Sequence, residues 1–215
     1  MEDENEIMEL IHNDDKMIEQ ILTPLIDTNL DLCEITLDNF LDEDFLKEIP
    51  ILKSIYSGYK FINSIQNAIF IKKLYLFIKN LPRATEHEKN IFLKKYKKDE
   101  IKFVEKLFEI IDKLDDSDKC KFESKIFEKY FYGAINYEEF KSYSYALQKI
   151  NISAIKEGYI KFTENNINED GQILIPTSIG GSFLSVGMAE IVTFVGTCGY
   201  CLNEISYKFL KCLFE

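Results

Sequence analysis

The chain has 215 residues, of which 46% are hydrophobic, and a formal net charge of −11. This apolar content is ample for a core, and it argues against an intrinsically disordered chain. The five cysteines are odd in number and widely scattered, which argues against a disulfide framework. The first six residues are acidic instead of basic, and no apolar run reaches the length that spans a bilayer, so we expect a cytoplasmic protein.

The first predicted elements are two acidic amphipathic helices within residues 1–49, the second of which stops before a proline. Charge is strongly segregated at this end of the chain. Residues 1–50 carry sixteen Asp and Glu against two Lys, a net charge of −14, whereas residues 51–98 carry eleven Lys and Arg against two Glu, a net charge of +9. The acidic region therefore either covers the basic one or each meets a separate partner, and solvated helix faces are the simpler alternative.

A long apolar segment follows and ends at Leu81-Pro82. Isoleucines form a stripe along it, and lysines lie beside the stripe. These lysines are Lys53, Lys60, Lys72, Lys73 and Lys79. Such a combination is typical of a segment that binds an anionic membrane surface or an unidentified protein partner. It is equally typical of a core helix whose lysines point to solvent. One hypothesis is therefore a membrane-surface effector that binds the inner membrane face through segment 51–98. In this hypothesis the acidic helices cover segment 51–98 until they are released from it.

Local signals divide the middle of the chain into further helices. Thr85 with Glu88, and Asn136 with Glu139, are capping boxes, in which each partner satisfies an unpaired amide of the first helical turn. Gly133 is placed where a helix C-terminal cap is expected. Short connections between these helices indicate antiparallel neighbours in a bundle.

An acidic cluster precedes one of these helices. Its members are Asp112, Asp115, Asp116 and Asp118. Such a cluster can hold a divalent ion, but Ser117 as the N-cap, with Asp residues near the first turn, explains it structurally. We therefore expect no metal and no cofactor in this protein.

The C-terminal part has the element order of a small winged-helix-like module. Two helical segments, Ser153–Phe162 and Ser178–Met188, precede two β-prone runs, Ile191–Val195 and Tyr200–Leu202. A glycine-flanked turn at Gly196–Gly199 predicts a hairpin between these runs.

A closing helix is predicted after the hairpin, with Asn203 as its N-cap. Its apolar residues recur at three-to-four spacing: Ile205, Phe209, Leu210, Leu213 and Phe214.

The hairpin end and this helix carry a resemblance. The stretch Tyr200-Cys-Leu-Asn-Glu-Ile-Ser-Tyr-Lys-Phe-Leu resembles the tyrosine-x-leucine-threonine-x-x-glycine-x-x-leucine ending of many bacterial winged-helix modules, with Asn203 in place of threonine and Ser206 in place of glycine. In pattern, residues 49–214 resemble a group of bacterial helical proteins akin to the abortive-infection alpha proteins. The resemblance implies a setting in bacterial defence or a mobile element, and it brings no catalytic motif.

The same stretch supports a redox alternative. Cys198-Gly-Tyr-Cys201 would be an oxidoreductase motif if it began a helix, because the helix N-terminus lowers the pKa of a thiol. Further strands and a later proline would have to follow, and neither does. With Cys212 the pair provides three of the four ligands of a structural zinc site, and both histidines lie far upstream.

Charge argues against a nucleic-acid partner for the C-terminal module, whereas binding through the basic segment 51–98 is left open and lacks a known motif. Residues 153–215 carry four lysines against seven Asp and Glu, and the segment Ser182–Met188, in the place of a recognition helix, has no basic residue.

The sequence thus predicts a mainly α protein, a multi-helix bundle followed by a small winged-helix-like α+β module with one β-hairpin. The predicted domains are acidic helices at 1–49, a helical bundle at 50–150 and the module at 151–215. We expect a non-enzymatic protein that binds another protein. The alternatives are the membrane-surface effector and the thiol redox protein, and homo-oligomerisation is left open.

Overall fold

A computed structural model describes residues 65–81, 84–85, 87–88, 91, 100–164, 172–194 and 197–215. The predicted acidic helices, Lys53, Lys60 and most of the helix that follows Thr85 lie outside the described residues. The chain divides into two compact units, residues 1–124 and 125–215. The domain boundaries predicted after residues 49 and 150 stay predictions.

The predicted fold class is confirmed: the chain is mainly helical, with a small antiparallel sheet close to its C-terminal end. The described helices are α1 (Ile65–Lys79), α2 (Glu100–Lys113), α3 (Ser117–Phe131), α4 (Tyr137–Lys149), α5 (Ile152–Thr163), α6 (Thr177–Leu184) and α7 (Glu204–Phe214). The strands are β1 (Leu174–Ile175), β2 (Ala189–Phe194) and β3 (Thr197–Leu202).

In the first unit, α1 packs against α2. The rings of Phe70 and Phe108 meet edge to face, with their centroids 6.3 Å apart. The Nζ of Lys73 donates to the carbonyl oxygen of Asp112 at 2.6 Å, so this lysine binds the end of α2. Both helices bury large apolar side chains: Leu74, Tyr75, Phe77, Ile78, Leu107, Ile110 and Ile111. This packing stabilises the pair far more than helix propensity does.

Both predicted capping boxes are confirmed. The Thr85 amide donates to Oε2 of Glu88 at 2.7 Å, and the Glu88 amide donates to Oγ1 of Thr85 at 3.3 Å. These hydrogen bonds, first from the Thr85 amide and then from its hydroxyl, lower the pKa of Glu88. At α4, the Asn136 amide donates to Oε2 of Glu139 at 2.9 Å and the Glu139 amide donates to Oδ1 of Asn136 at 3.0 Å.

The start of α3 corrects one prediction. Asp116, not Ser117, caps this helix, because its Oδ1 accepts from the amide of Asp118 at 2.8 Å. Asp115 also has a structural role, since its Oδ1 lies 2.6 Å from Nζ of the fully buried Lys119. Partial burial alone would raise the pKa of Asp115, but the hydrogen bond and the charge of Lys119 outweigh it, and the net result is a lowered pKa.

The end of α3 is set by Gly133, as predicted. Its φ of 74° is a left-handed conformation that glycine adopts without strain. The Gly133 amide donates to the Tyr130 carbonyl at 3.0 Å, and the Ala134 amide donates to the Lys129 carbonyl at 2.8 Å, which is the hydrogen-bond pattern of a Schellman cap. The chain then reverses into α4, where the Phe140 ring stacks on Tyr130 with centroids 5.0 Å apart.

The winged-helix-like module consists of α5, β1, α6, the β2–β3 hairpin and α7. Its sheet has the order β1-β3-β2, and all pairs are antiparallel. Leu174 pairs with Cys201 and Ile175 with Tyr200, so β1 adds a short third strand to the hairpin. The sequence analysis did not predict β1.

Two local boundaries differ from the prediction. The helix predicted over Ser178–Met188 ends at Leu184, because the chain turns at Gly187 (φ 73°) and the Met188 amide returns to the Phe183 carbonyl at 2.8 Å. The turn predicted at Gly196–Gly199 is also wrong. Phe194 pairs with Thr197, and Cys198 and Gly199 lie inside β3, so only residues 195–196, which are outside the described residues, connect the strands.

Helix α7 closes the module and packs on α5. Asn203 caps it as predicted, since its Oδ1 accepts from the Ser206 amide at 3.1 Å. Tyr159 stacks on Phe214 with ring centroids 4.2 Å apart, and Phe162 stacks on Tyr207 at 5.6 Å. These stacked pairs add geometric specificity to the area that the two helices bury.

Candidate functional site

The β2–β3 hairpin carries the most exposed large hydrophobic side chain of the described residues. Ile191 on β2 is 58% exposed, and β2 is an edge strand of the sheet. The cross-strand partner of Ile191 is Tyr200, so the two side chains share one face of the sheet. We refer to residues 190–193 and 198–200 as the hairpin surface.

The hairpin surface is almost uncharged. Between residues 172 and 207 the sequence contains only two charged residues, Glu190 and Glu204, and no lysine or arginine. A wing that contacts nucleic acid needs cations to neutralise phosphates. The charges of this surface therefore favour a partner that is not a nucleic acid.

The module holds the hairpin surface firmly against α6. Tyr200 packs so closely on Gly180 that a Cβ on this glycine would lie 2.3 Å from two ring atoms. At the base of the hairpin, Nδ2 of Asn203 donates to the Gly187 carbonyl at 2.9 Å, and the Asn203 amide donates to the Met188 carbonyl at 3.4 Å. The exposed strands therefore project from a fixed base. Because the hairpin is already ordered, it loses little conformational entropy when a partner binds.

Apart from the exposed Glu190, the edge of β2 lacks the common devices that prevent strand pairing. Its six residues include no lysine and no proline, and the β2–β3 register runs without a bulge from Ala189 to Phe194. In the part of the chain that the structure describes, β2 has a neighbouring strand on one side only. The backbone groups of its other side can pair with an extended segment of another chain.

The two cysteines of the redox hypothesis lie on β3, not at a helix N-terminus. They are three residues apart on a strand, so their side chains point to opposite faces and their Cα atoms are about 10 Å apart. A disulfide requires less than about 7 Å. Cys198 is exposed and Cys201 is buried, and burial raises the pKa of the Cys201 thiol. The described geometry gives the redox hypothesis no support.

The lysines of the predicted membrane or partner face are only partly described. Lys72, Lys73 and Lys79 lie on α1, and Lys53 and Lys60 are outside the described residues. The structure turns Lys73 towards α2, whereas Lys72 and Lys79 are exposed. Ile69, which is 49% exposed, lies three residues before Lys72 and therefore on the same side of the helix.

Three further findings concern possible sites among the described residues. Among the described residues, no group of three or more His, Cys, Asp and Glu side chains is arranged to hold a metal ion. In the same residues, every helix is too short or too polar to cross a lipid bilayer. The thiol of Cys120 on α3 is fully buried, and this burial raises its pKa to about 12, which makes it unreactive.

No protein-family model, curated protein or solved structure matches this chain.

The hairpin was predicted from the sequence as a structural element, but neither it nor Ile191 was predicted as a binding surface. The sequence does contain a sign of an apolar surface, because residues 172–207 are largely apolar and include only two charged residues in 36. Exposure depends on what the sheet and helices cover, and that could not be read from the sequence.

Proposed function

We propose that this chain is a non-enzymatic protein-interaction protein, and that the hairpin surface is where its partner binds. The main support is the 58% exposure of Ile191 on an edge strand that carries no basic residue and belongs to a well-anchored sheet. Its setting in bacterial defence or in a mobile element is also a proposal, and it rests on the resemblance of residues 49–214 to bacterial helical proteins akin to the abortive-infection alpha proteins.

Two properties of the hairpin surface favour a protein partner. An exposed isoleucine beside a tyrosine contributes apolar area that a protein can bury, at about 25 cal/mol for each Å². The unpaired side of β2 offers backbone hydrogen bonds to an extended segment of the partner. The lack of basic residues argues against a phosphate backbone as the ligand.

Crosslinking at position 191 tests this proposal. We expect a photo-crosslinking amino acid at position 191 to form a discrete adduct with one protein in the native cells, and Ile191→Asp to abolish co-purification of that protein. Asp removes the apolar contact and introduces a charge that would have to be desolvated in the interface. Adducts are identified by mass spectrometry.

Ile160 on α5 is the matched control, because it is 49% exposed and lies outside the hairpin. The photo-crosslinker at position 160 should give no adduct with this protein, and Ile160→Asp should leave co-purification unchanged. Equal adducts at both positions, or none at position 191, would show that the hairpin surface is not the interface.

The second candidate function is a membrane-surface effector. It is supported by the exposed stripe of α1 with Ile69, Lys72 and Lys79, which combines an apolar side chain with two cations. Ammonium groups near an anionic leaflet each contribute about 1 kcal/mol to binding.

Liposome flotation tests this second function. We expect the protein to float with vesicles that contain phosphatidylserine and not with phosphatidylcholine alone, and salt should weaken the binding. The double variant Lys72→Gln with Lys79→Gln should reduce the bound fraction about tenfold, whereas Lys156→Gln with Lys149→Gln, at exposed positions of the second unit, should not. Equal flotation with both lipids, or with both double variants, would exclude this function.

A further inference from the structure

The second unit contains a cavity of about 440 Å³. It lies between the end of α3, the loop after Gly133, the first half of α4 and the last turns of α7. Its lining residues are Lys129, Ala134, Ile135, Glu139, Tyr143, Lys208, Lys211, Cys212 and Glu215. The volume is in the range of sites for small organic molecules, and four of the lining side chains are largely apolar.

Tyr143 places the hydroxyl of a largely buried side chain at this cavity. Its side chain is 2% exposed, and its ring packs on Phe209 with centroids 5.7 Å apart. Burial, and then the charges of Glu139 and Cys212, raise the pKa of Tyr143 to about 12, so the hydroxyl stays protonated and can donate a hydrogen bond. Among the described residues this hydroxyl forms no hydrogen bond, and its oxygen is not sealed from solvent, so it can donate to a molecule that enters the cavity.

Some charged side chains of the lining already interact with other groups of the protein. Lys208 pairs with Glu204 at 3.0 Å, and Oε2 of Glu139 accepts from the Asn136 amide at 2.9 Å. Lys211 lies over the Phe162 ring at 5.7 Å.

In the described residues, the ammonium groups of Lys129 and Lys211 form no ion pair, and neither does the carboxylate of Glu215. Three lysines and two glutamates line the cavity. The two ammonium groups that form no ion pair suit a ligand with one small anionic group.

We propose that this cavity binds a small organic molecule through an oxyanion group, a carboxylate or a phosphate, held by Lys129, Lys211 and the Tyr143 hydroxyl. The apolar body of the ligand lies against Ala134 and Ile135. Lysines bind such groups as point charges, and the tyrosine adds a donor whose position is fixed by packing. Ligand binding here is independent of the hairpin surface, which is built from other elements.

Isothermal titration of the full chain with benzoate, phenyl phosphate and benzyl alcohol tests the proposal. These probes share an aromatic body and differ in the polar group. We expect saturable millimolar binding of benzoate, phenyl phosphate or both, and no saturable binding of benzyl alcohol. Preference between the two anions distinguishes a carboxylate ligand from a phosphate ligand.

Variants locate the site. Lys129→Gln and Tyr143→Phe should each weaken binding of the anionic probe about tenfold, the size expected for one charge-assisted hydrogen bond. Lys156→Gln, at an exposed lysine of α5, is the matched control and should leave affinity unchanged. Thermal melting confirms that each variant is folded, and Lys211→Gln replaces any that is not. Equal binding of benzyl alcohol, no binding of either anion, or unchanged affinity in the folded lining variants would overturn the proposal.

Discussion

Phe183→Ala is expected to lower the free energy of unfolding by about 4 kcal/mol. The Phe183 side chain is fully buried on α6, and its ring reaches Gly158 of α5. A Cβ on that glycine would lie 2.7 Å from Cζ of the ring, so the two residues fit closely. Alanine would leave a cavity that this packed site fills only in part. Guanidinium denaturation followed by circular dichroism measures the loss.

The neighbouring Leu184 provides the control for this substitution. It is the last residue of α6 and is 36% exposed, so Leu184→Ala should change the free energy of unfolding by less than about 1 kcal/mol. If both variants lose the same amount, the effect comes from helix α6 in general and not from the Phe183 contact.

Gly180→Ala is expected to destabilise the protein by about 3 kcal/mol, although alanine is the better helix former. The added Cβ would lie 2.3 Å from Cγ and from Cδ2 of Tyr200, and 2.7 Å from Cβ of Tyr200. These atoms belong to the base of the side chain, which cannot swing away, so α6 would have to move off β3. Thermal and chemical denaturation measure the loss.

Gly181 is the next residue of the same helix and serves as the control. A Cβ there meets no atom within 4 Å, so Gly181→Ala should raise the free energy of unfolding by about 0.8 kcal/mol. Combining Gly180→Ala with Tyr200→Ala should recover part of the loss, because the two ring contacts at 2.3 Å are removed and only the contact with Cβ at 2.7 Å is left. Equal effects of the two glycine substitutions would contradict the close packing of α6 on β3.

Features fixed by a few neighbouring residues were predictable from the sequence. The capping box at Asn136, the glycine that ends α3 and the Asn203 cap were all predicted and are confirmed. Each depends on side chains within a few positions of the helix end, so spacing alone identifies it. Helical periodicity over longer segments likewise predicted the mainly α class.

Features that depend on distant partners were not predictable in this way. Strand β1 has two residues, and it exists because Leu174 pairs with Cys201, 27 positions later. The glycines near Cys198 indicated a turn, yet Gly199 pairs with Val192 inside the sheet. Pairing energy from the neighbouring strand overrides the local preference of glycine for turns.

The candidate sites show the same limit. The low charge of the hairpin could be read from the sequence, but the exposure of Ile191 could not. Lys129, Tyr143 and Lys211 come from α3, α4 and α7, and no spacing in the sequence relates them. A cavity formed by three helices becomes visible only when their packing is known.

Helix α3 decides how the C-terminal unit could be produced as a separate fragment. The boundary between the compact units follows Ser124, inside this helix. A fragment that began at Lys125 would keep only seven residues of α3, about two turns, which is too short to nucleate a helix well, and it would lose the Asp116 cap. Starting the fragment at Asp115 instead retains the whole helix together with its cap.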